Sequence, residues 1–312
     1  VSELHRQLQD YLRLRRAMGF KLERHAKLLG QFVDYLAAHE AATVTVADAL
    51  SWACSPSSAD SRWWAGRLSV VRGFAVHLHA LEPAHQVPPR GLLPRRCRRR
   101  VPYLYTDREV SALIQAAGVL SIPLRAATYQ TLIRLLAVTG MRVGEAIRLD
   151  RDDFDDEIGL LTVRDSKFGK SRQLPLHPTT TTGLQRYLDL CGRLQSDTQT
   201  SALLLSTRGF RLRYERVWET FHRLVGQVGL TPRSAECAPR IHDLRHTFAV
   251  ITLLGWYHDG ADVPALLPRL STYLGHADPK HTYWYLSAAP ELLALAAGRL
   301  DAYQAAQRED LR

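Results

Sequence analysis

The sequence predicts a mainly α-helical protein of two domains, the second carrying a small antiparallel β-sheet. Three observations point there. Apolar residues recur at helical spacing through most of the chain. A stretch rich in proline and arginine interrupts them at residues 86–105. Two short alternating segments flank the basic turn Lys167-Phe168-Gly169-Lys170. With 312 residues and 46% hydrophobic content, the chain can fill two ordinary cores. No apolar run suits a bilayer and the N-terminus is not signal-like, so the expectation is a soluble, cytoplasmic protein with no membrane partner.

Residues 1–85 read as four helices. The first runs to about residue 20 with Leu4, Leu8, Tyr11, Leu12 and Met18 on one side, and Gly19 is placed to end it. The second carries Leu28, Leu29, Phe32, Val33 and Leu36. The third begins at Thr45, with Asp48 at the capping-box position before Ala49, Leu50 and Trp52. Ser-Pro-Ser-Ser at 55–58 breaks the chain. A fourth helix, from about Ala59 to Leu81, contains Trp63, Trp64, Leu68, Val71 and Phe74.

The linker follows. Pro83, Pro88, Pro89, Gly91 and Pro94 forbid a continuous helix, and Arg95, Arg96, Arg98, Arg99 and Arg100 come directly after. Such a cluster is either a solvated segment or a phosphate-binding one. Overall charge favours the second: 41 lysines and arginines against 31 acids leave a net charge of +10, which suits a polyanionic partner, nucleic acid first.

The second domain spans 106–289. Thr106 and Glu109 form a capping box, and Leu124, Ala127, Thr128, Leu132, Leu135 and Leu136 form a buried stripe that ends at Gly140. Glu157–Asp165 and Arg172–Leu176 are predicted strands joined by the basic turn. Pro178 and the threonines at 179–182 open another helix, Leu203–Leu205 is a short apolar run, and Val217, Phe221, Leu224 and Val228 line a further helix. A tail, residues 290–312, continues past Pro290 as an alanine-rich helix with Leu292, Leu293, Ala296, Ala297, Leu300 and Tyr303 on neighbouring turns. Cys54, Cys97, Cys191 and Cys237 lie far apart with no C-x-x-C pair, so reduced thiols are expected, with neither a disulfide framework nor a zinc knuckle.

Three short pieces carry chemistry: Thr139-Gly140-Met141-Arg142-Val143-Gly144-Glu145, then His242-Asp243-Leu244-Arg245-His246, then Leu274-Gly275-His276 with Thr282-Tyr283-Trp284-Tyr285-Leu286. Cleaving a phosphodiester builds charge on the non-bridging oxygens and expels an alkoxide. Guanidinium groups can fork onto two of those oxygens, imidazoles can move protons, and a phenol can attack phosphorus. On residue types alone each piece has a plainer reading. Arg142 could simply pair with Glu145 at a helix end, Tyr283 and Tyr285 could be packing aromatics, and Lys167 competes with Lys170. His242 and His246 have the spacing of a zinc pair, but the glutamate of H-E-x-x-H is missing. No Walker-type phosphate loop appears, nor a carboxylate set for two magnesium ions.

Together these motifs resemble the tyrosine recombinase (phage integrase) family, strongly over the second domain and loosely over the first. The resemblance implies a small helical, SAM-like core-binding domain that grips the far side of the duplex. It implies a basic linker along the DNA backbone and a tyrosine-recombinase catalytic domain, mainly helical with a small antiparallel sheet. The implied activity is site-specific cleavage and rejoining of DNA through a 3′-phosphotyrosine, in integration, excision or transposition of a mobile element, without metal, ATP or any cofactor. Carried over position by position, Arg142 and Arg245 are phosphate-binding cations, His242 is the base, and His276 bonds the scissile phosphate. Lys167 protonates the leaving group, Glu145 supports the site and Tyr285 is the nucleophile. Family register selects Tyr285 over Tyr283, because Thr282 stands three residues before it and Leu286-Ser287 follow it. Lys167 is chosen over Lys170 because it precedes the small turn residues. Arg95, Arg96, Arg98, Arg99, Arg100 and Lys170 are expected on DNA. The implied partners are double-stranded DNA at a specific site and further copies forming a tetramer on paired sites, alone or with a sister recombinase, the tail docking on a neighbouring protomer. A bacterial nucleoid-associated location follows. Type IB topoisomerase action, or a DNA-binding regulator with unused catalytic residues, are the alternative readings.

Overall fold

The computed structural model describes residues 3–57, 59–94, 100–164, 171–194, 200–276, 278–287, 291–295 and 297–298. It divides into two compact units, Val1–Arg99 and Arg100–Arg312. No helix among the described residues is long and apolar enough to cross a membrane.

The first unit is built from α1 (Glu3–Ala17), α2 (Glu23–Ala38), α3 (Val46–Cys54) and α4 (Ser61–Leu81). Its core joins Leu4, Leu8, Leu12, Phe32, Leu36, Trp52 and Phe74 across the four helices. Met18 is 62% exposed and is not on the buried side as predicted: α1 stops at Ala17, and Met18 lies past its last helical turn. Thr45 caps α3 by accepting from Asp48 N, and Asp60 caps α4 by accepting from Trp63 N. Arg67 fastens α4 to α3, its guanidinium 3.7 Å from the Trp52 ring centre and donating to the Trp52 carbonyl at 2.7 Å.

The stretch expected as linker is claimed from both ends. Gln86 donates to the Val44 carbonyl and Arg72 to the carbonyls of Pro88 and Pro89, so residues 86–89 pack on the first unit. Tyr103 and Tyr105 are buried in the second unit's core. Arg100 is exposed, and Arg95, Arg96, Arg98 and Arg99 lie outside the described residues.

The second unit is mainly helical around a three-stranded antiparallel sheet, as the predicted fold class requires, with one strand more than the sequence suggested. Its helices are α5 (Asp107–Gly118), α6 (Pro123–Thr139), α7 (Val143–Arg148), α8 (Pro178–Leu194), α9 (Tyr214–Val228), α10 (Asp243–His258), α11 (Val263–Leu274) and α12 (Lys280–Tyr283). The strands are β1 (Phe154–Asp155), β2 (Leu160–Val163) and β3 (Arg172–Pro175), in the order β1-β2-β3. In β2–β3, Val163 faces Arg172 and Leu160 faces Pro175. β2 is shorter than predicted, because Glu157 to Gly159 form the turn from β1.

Helix α6 is the hub. It packs against α5, α7, α8 and α10, and buries Ala126, Tyr129, Thr131 and Ile133 besides its apolar stripe, so it is a core helix enclosed nearly all round. Two of its threonines are satisfied internally: Thr128 donates to the Leu205 carbonyl at 2.9 Å and Thr139 to the Leu135 carbonyl at 2.6 Å. The predicted capping box of Thr106 and Glu109 starts α5. Gly140 ends α6 at φ 59°, and a Cβ there would stand 2.4 Å from the Phe248 ring, so both backbone and space demand glycine. This brings the end of α6, from which the chain turns to Arg142, close to α10, which carries Arg245.

Candidate active site

Arg142 leaves the Gly140 turn as the residue before α7. Glu145, one turn into that helix, accepts from Arg142 N at 3.0 Å and from Arg142 Nη1 at 2.7 Å. The helix-end ion pair that is the plain reading of this spacing is therefore real. Arg142 is still not used up: its side chain is 27% exposed, and Nη2 reaches the Gly275 carbonyl at 3.1 Å.

Arg245 lies in the first turns of α10 and is 2% exposed. It donates through Nη1 to the Gly140 carbonyl and through Nη2 to the Leu274 carbonyl, both at 2.8 Å, and Nη2 also meets His276 Nε2 at 2.8 Å. Burial lowers its pKa to about 10, against the opposing pull of the neighbouring Tyr285, so it stays charged at neutral pH. Because Arg245 can only donate, His276 Nε2 must accept. The proton of the neutral ring then sits on Nδ1 and is donated to Thr282 Oγ1 at 2.7 Å. Thr282, fully buried, thus fixes the tautomer of His276.

His242 stands immediately before α10. It keeps exposed surface at the mouth of the site, while enclosure of its ring, then the charges of Arg245, Arg142 and Arg240, lower its pKa to about 4. The frame beneath it is rigid. Asp243, fully buried, takes two hydrogen bonds from Arg240 at 2.9 and 2.7 Å, and Thr247 bonds both the Asp243 carbonyl and Tyr105 N. The same causes, burial first and then Arg245 and Arg142, hold His276 at about 3.

Both imidazoles are therefore neutral at pH 7. The unfolded chain protonates them near 6.5, so between about pH 6.5 and 4 it binds more protons than the folded chain, and stability rises with pH through that window. The thermal midpoint is expected to fall as the pH drops from 7 to 4.5, and less steeply in His276→Gln. A midpoint that is flat across the window would contradict this.

Tyr285 is 2% exposed. Its ring stacks on His276 with centroids 6.1 Å apart, lies 5.5 Å from His246 and 5.4 Å from Trp284, and closes an apolar cluster with Leu253, Leu270, Leu274 and Leu292. Tyr283 is 51% exposed. His246 lies between the two groups, its ring 4.9 Å from that of His242. Leu292 is buried beside Tyr285, so the first turn of the tail covers its own domain; residues beyond 298 lie outside the described chain. Lys167 and Lys170 also lie outside it.

The structure thus gathers Arg142, Glu145, Arg245, His276 and Tyr285, with His242 at the mouth. Sequence reasoning missed Arg172, whose guanidinium lies against Glu145, with Nη2 2.7 Å from Oε2. It also missed a groove of about 540 Å³ lined by Arg125, Arg208, Arg211, Arg213, Arg216 and the 61% exposed Phe210. Four of those arginines fall at 208–216, a charge density the sequence displays but no periodic pattern singles out.

A mainly helical fold with a three-stranded sheet here brings together two arginines, two histidines and a tyrosine, groups able to hold a phosphate and to move protons around it. Solved structures share the fold. A XerH site-specific recombinase bound to its difH substrate matches with a TM-score of 0.63 at 18% identity over 89% of this chain and 79% of its own. A Tn1549 transposon integrase in complex with transposon-end DNA matches at 0.61 and 15%, over 95% and 99%. Residues 104–291 match the profile of the phage integrase family, and the chain belongs to that family, the tyrosine-type site-specific DNA recombinases, enzymes that cleave and rejoin DNA. A Sinorhizobium fredii protein carrying the provisional name integrase/recombinase y4rB is 40% identical over 309 residues, 96% of this chain and 98% of its own. The tyrosine recombinase XerD of Mycobacterium tuberculosis is 32% identical over 230 residues, 70% and 67%.

Proposed function

We propose that this chain exchanges DNA strands at a specific site through a 3′-phosphotyrosine on Tyr285, in the movement of a mobile element. The observation that carries the reading is the reach of one guanidinium. Arg245 is bonded to the carbonyl two residues before Arg142 and to His276, and it lies beside Tyr285, so residues separated by more than a hundred positions share one pocket. In the cleavage step the Tyr285 oxygen bonds to phosphorus and its proton passes to His242. The bond from phosphorus to the 5′ oxygen breaks, and Lys167 supplies the proton that makes the leaving group a 5′-hydroxyl. Arg142 and Arg245 hold the non-bridging oxygens, whose negative charge grows in the transition state. His276, locked by Thr282, bonds the same phosphate, and Glu145 supports Arg142. Attack by a 5′-hydroxyl from the partner strand reverses the chemistry and regenerates the tyrosine, so bond energy is conserved and neither ATP nor a metal cofactor is required.

Tyr285 is enclosed where it stands, so residues 280–287 must shift to bring the phenol to DNA. The linker arginines Arg95, Arg96, Arg98, Arg99 and Arg100, with Lys170 and the groove arginines at 208–216, neutralise the DNA backbone. Four copies assemble on two paired sites. The polarity of cleavage tests the reading. A nicked duplex bearing the sequence recovered from DNA trapped on the protein should leave a free 5′-hydroxyl that polynucleotide kinase labels without phosphatase treatment. A 5′-linked adduct with a free 3′ end would contradict it.

A further inference from the structure

Glu145 is 3% exposed, yet its carboxylate faces two guanidinium groups. Arg142 gives it one side-chain hydrogen bond, at 2.7 Å. Arg172, the first residue of β3, gives it two, Nη2 to Oε2 at 2.7 Å and Nη1 to Oε1 at 3.3 Å. The remaining arm of Arg172, Nε, donates to the Tyr273 carbonyl at 2.7 Å. Its side chain is 8% exposed, so this guanidinium is directed wholly inward. The fit is tight: Gly275 has φ 67°, and a Cβ on it would stand 2.8 Å from Arg172 Nη1.

Charge gives the arrangement its meaning. Glu145 and Arg142 alone would form a neutral pair, and a phosphate approaching Arg142 would meet a guanidinium whose field a carboxylate 2.7 Å away largely cancels. With Arg172 present, the three side chains carry a net charge of +1. The arginine that is bonded on both carboxylate oxygens and nearly enclosed serves as the counterion. The surplus charge resides on Arg142, which is more exposed and, among the described residues, spends two of its five side-chain N–H donors. Burial pushes the Glu145 carboxyl up, but Arg172 first and Arg142 second bring it down to about 2, so the acid is ionised at any working pH.

We propose that Arg172 is a positioning residue for DNA cleavage, which neutralises Glu145 so that Arg142 keeps its charge for the scissile phosphate. It rests on the reading of Arg142 as a phosphate-binding cation. The two ideas separate in one experiment, the single-turnover rate of covalent adduct formation on a nicked duplex carrying the sequence trapped on the wild-type protein, with protein in excess. Arg172→Gln is expected to react on the order of 10- to 100-fold more slowly, short of the loss seen when a transition-state donor is removed outright. Glu145→Gln/Arg172→Gln, which removes the negative charge as well, should recover most of that loss, whereas a merely structural tie would be weakened further. If Arg172→Gln lowers the thermal midpoint below the assay temperature, Arg172→Lys keeps the counter-charge though not the fork, and is expected to react faster than Arg142→Ala. An Arg172→Gln rate equal to wild type, a double variant no faster than Arg172→Gln, or an Arg172→Lys protein that folds yet is as slow as Arg142→Ala overturns the proposal. Arg142→Ala is the control: if it reacts as fast as wild type, the phosphate-binding reading itself falls, whatever Arg172 does.

Discussion

Tyr285→Phe is expected to abolish the covalent DNA–protein adduct while leaving DNA affinity and folding intact. The substitution removes one oxygen atom. The ring stays packed on His276, Trp284 and the leucines around it, so the stability change is confined to the hydroxyl's own interactions, about 1–3 kcal/mol. No phosphate-neutralising charge is lost, so binding measured by mobility shift should hold. Chemistry, by contrast, loses the atom that bonds to phosphorus. Tyr283→Phe, two residues away and on the exposed side of the same turn, should react at the wild-type rate. An adduct that persists in Tyr285→Phe and disappears in Tyr283→Phe would move the nucleophile.

Arg245→Ala is expected to show two losses at once, because this side chain joins the site to the core. Its removal leaves the Gly140 and Leu274 carbonyls and His276 Nε2 without their donor in a buried place, and each such group costs about 1–3 kcal/mol. The thermal midpoint should fall accordingly. At a temperature where the variant is still folded, adduct formation should be slower by about 10²–10³-fold, the cost of removing a donor aimed at developing negative charge. Arg245→Lys separates the two effects. It keeps the positive charge, so it should bind DNA normally, but a single ammonium cannot replace the fork that spans α6, α11 and His276, and the rate should remain low. A folded Arg245→Lys protein with the wild-type rate would show that charge alone suffices.

Much of this molecule is legible in its sequence because the signals are local. Thr106 and Glu109 announce α5, the spacing of Phe32, Val33 and Leu36 announces a buried face, and Gly140 marks the end of α6. The three motif pieces are equally local, each a turn or a few turns of backbone. What the sequence hides is what depends on distant partners. β1 is two residues long, too short for any alternation to show, and exists because Phe154 and Asp155 pair with Leu161 and Leu160. The role of Arg172 depends on Glu145, 27 residues earlier, and on Tyr273, 101 residues later, neither of which marks a strand arginine as buried. The burial of Tyr285 is also hidden. Tyr283, Trp284 and Tyr285 are three aromatics in a row, and only the apolar floor supplied by α10 and α11 decides which of them turns inward.

Tandem mass spectrometry of the DNA-linked peptide tests the central claim most directly. Trypsin cutting after Lys280 and Arg299 releases one peptide that contains both Tyr283 and Tyr285. After nuclease trimming of the trapped DNA, fragmentation of that peptide should place a single phosphonucleotide on Tyr285, linked through the nucleotide's 3′ oxygen. The same mass on Tyr283, or on any residue outside residues 281–299, would contradict the account.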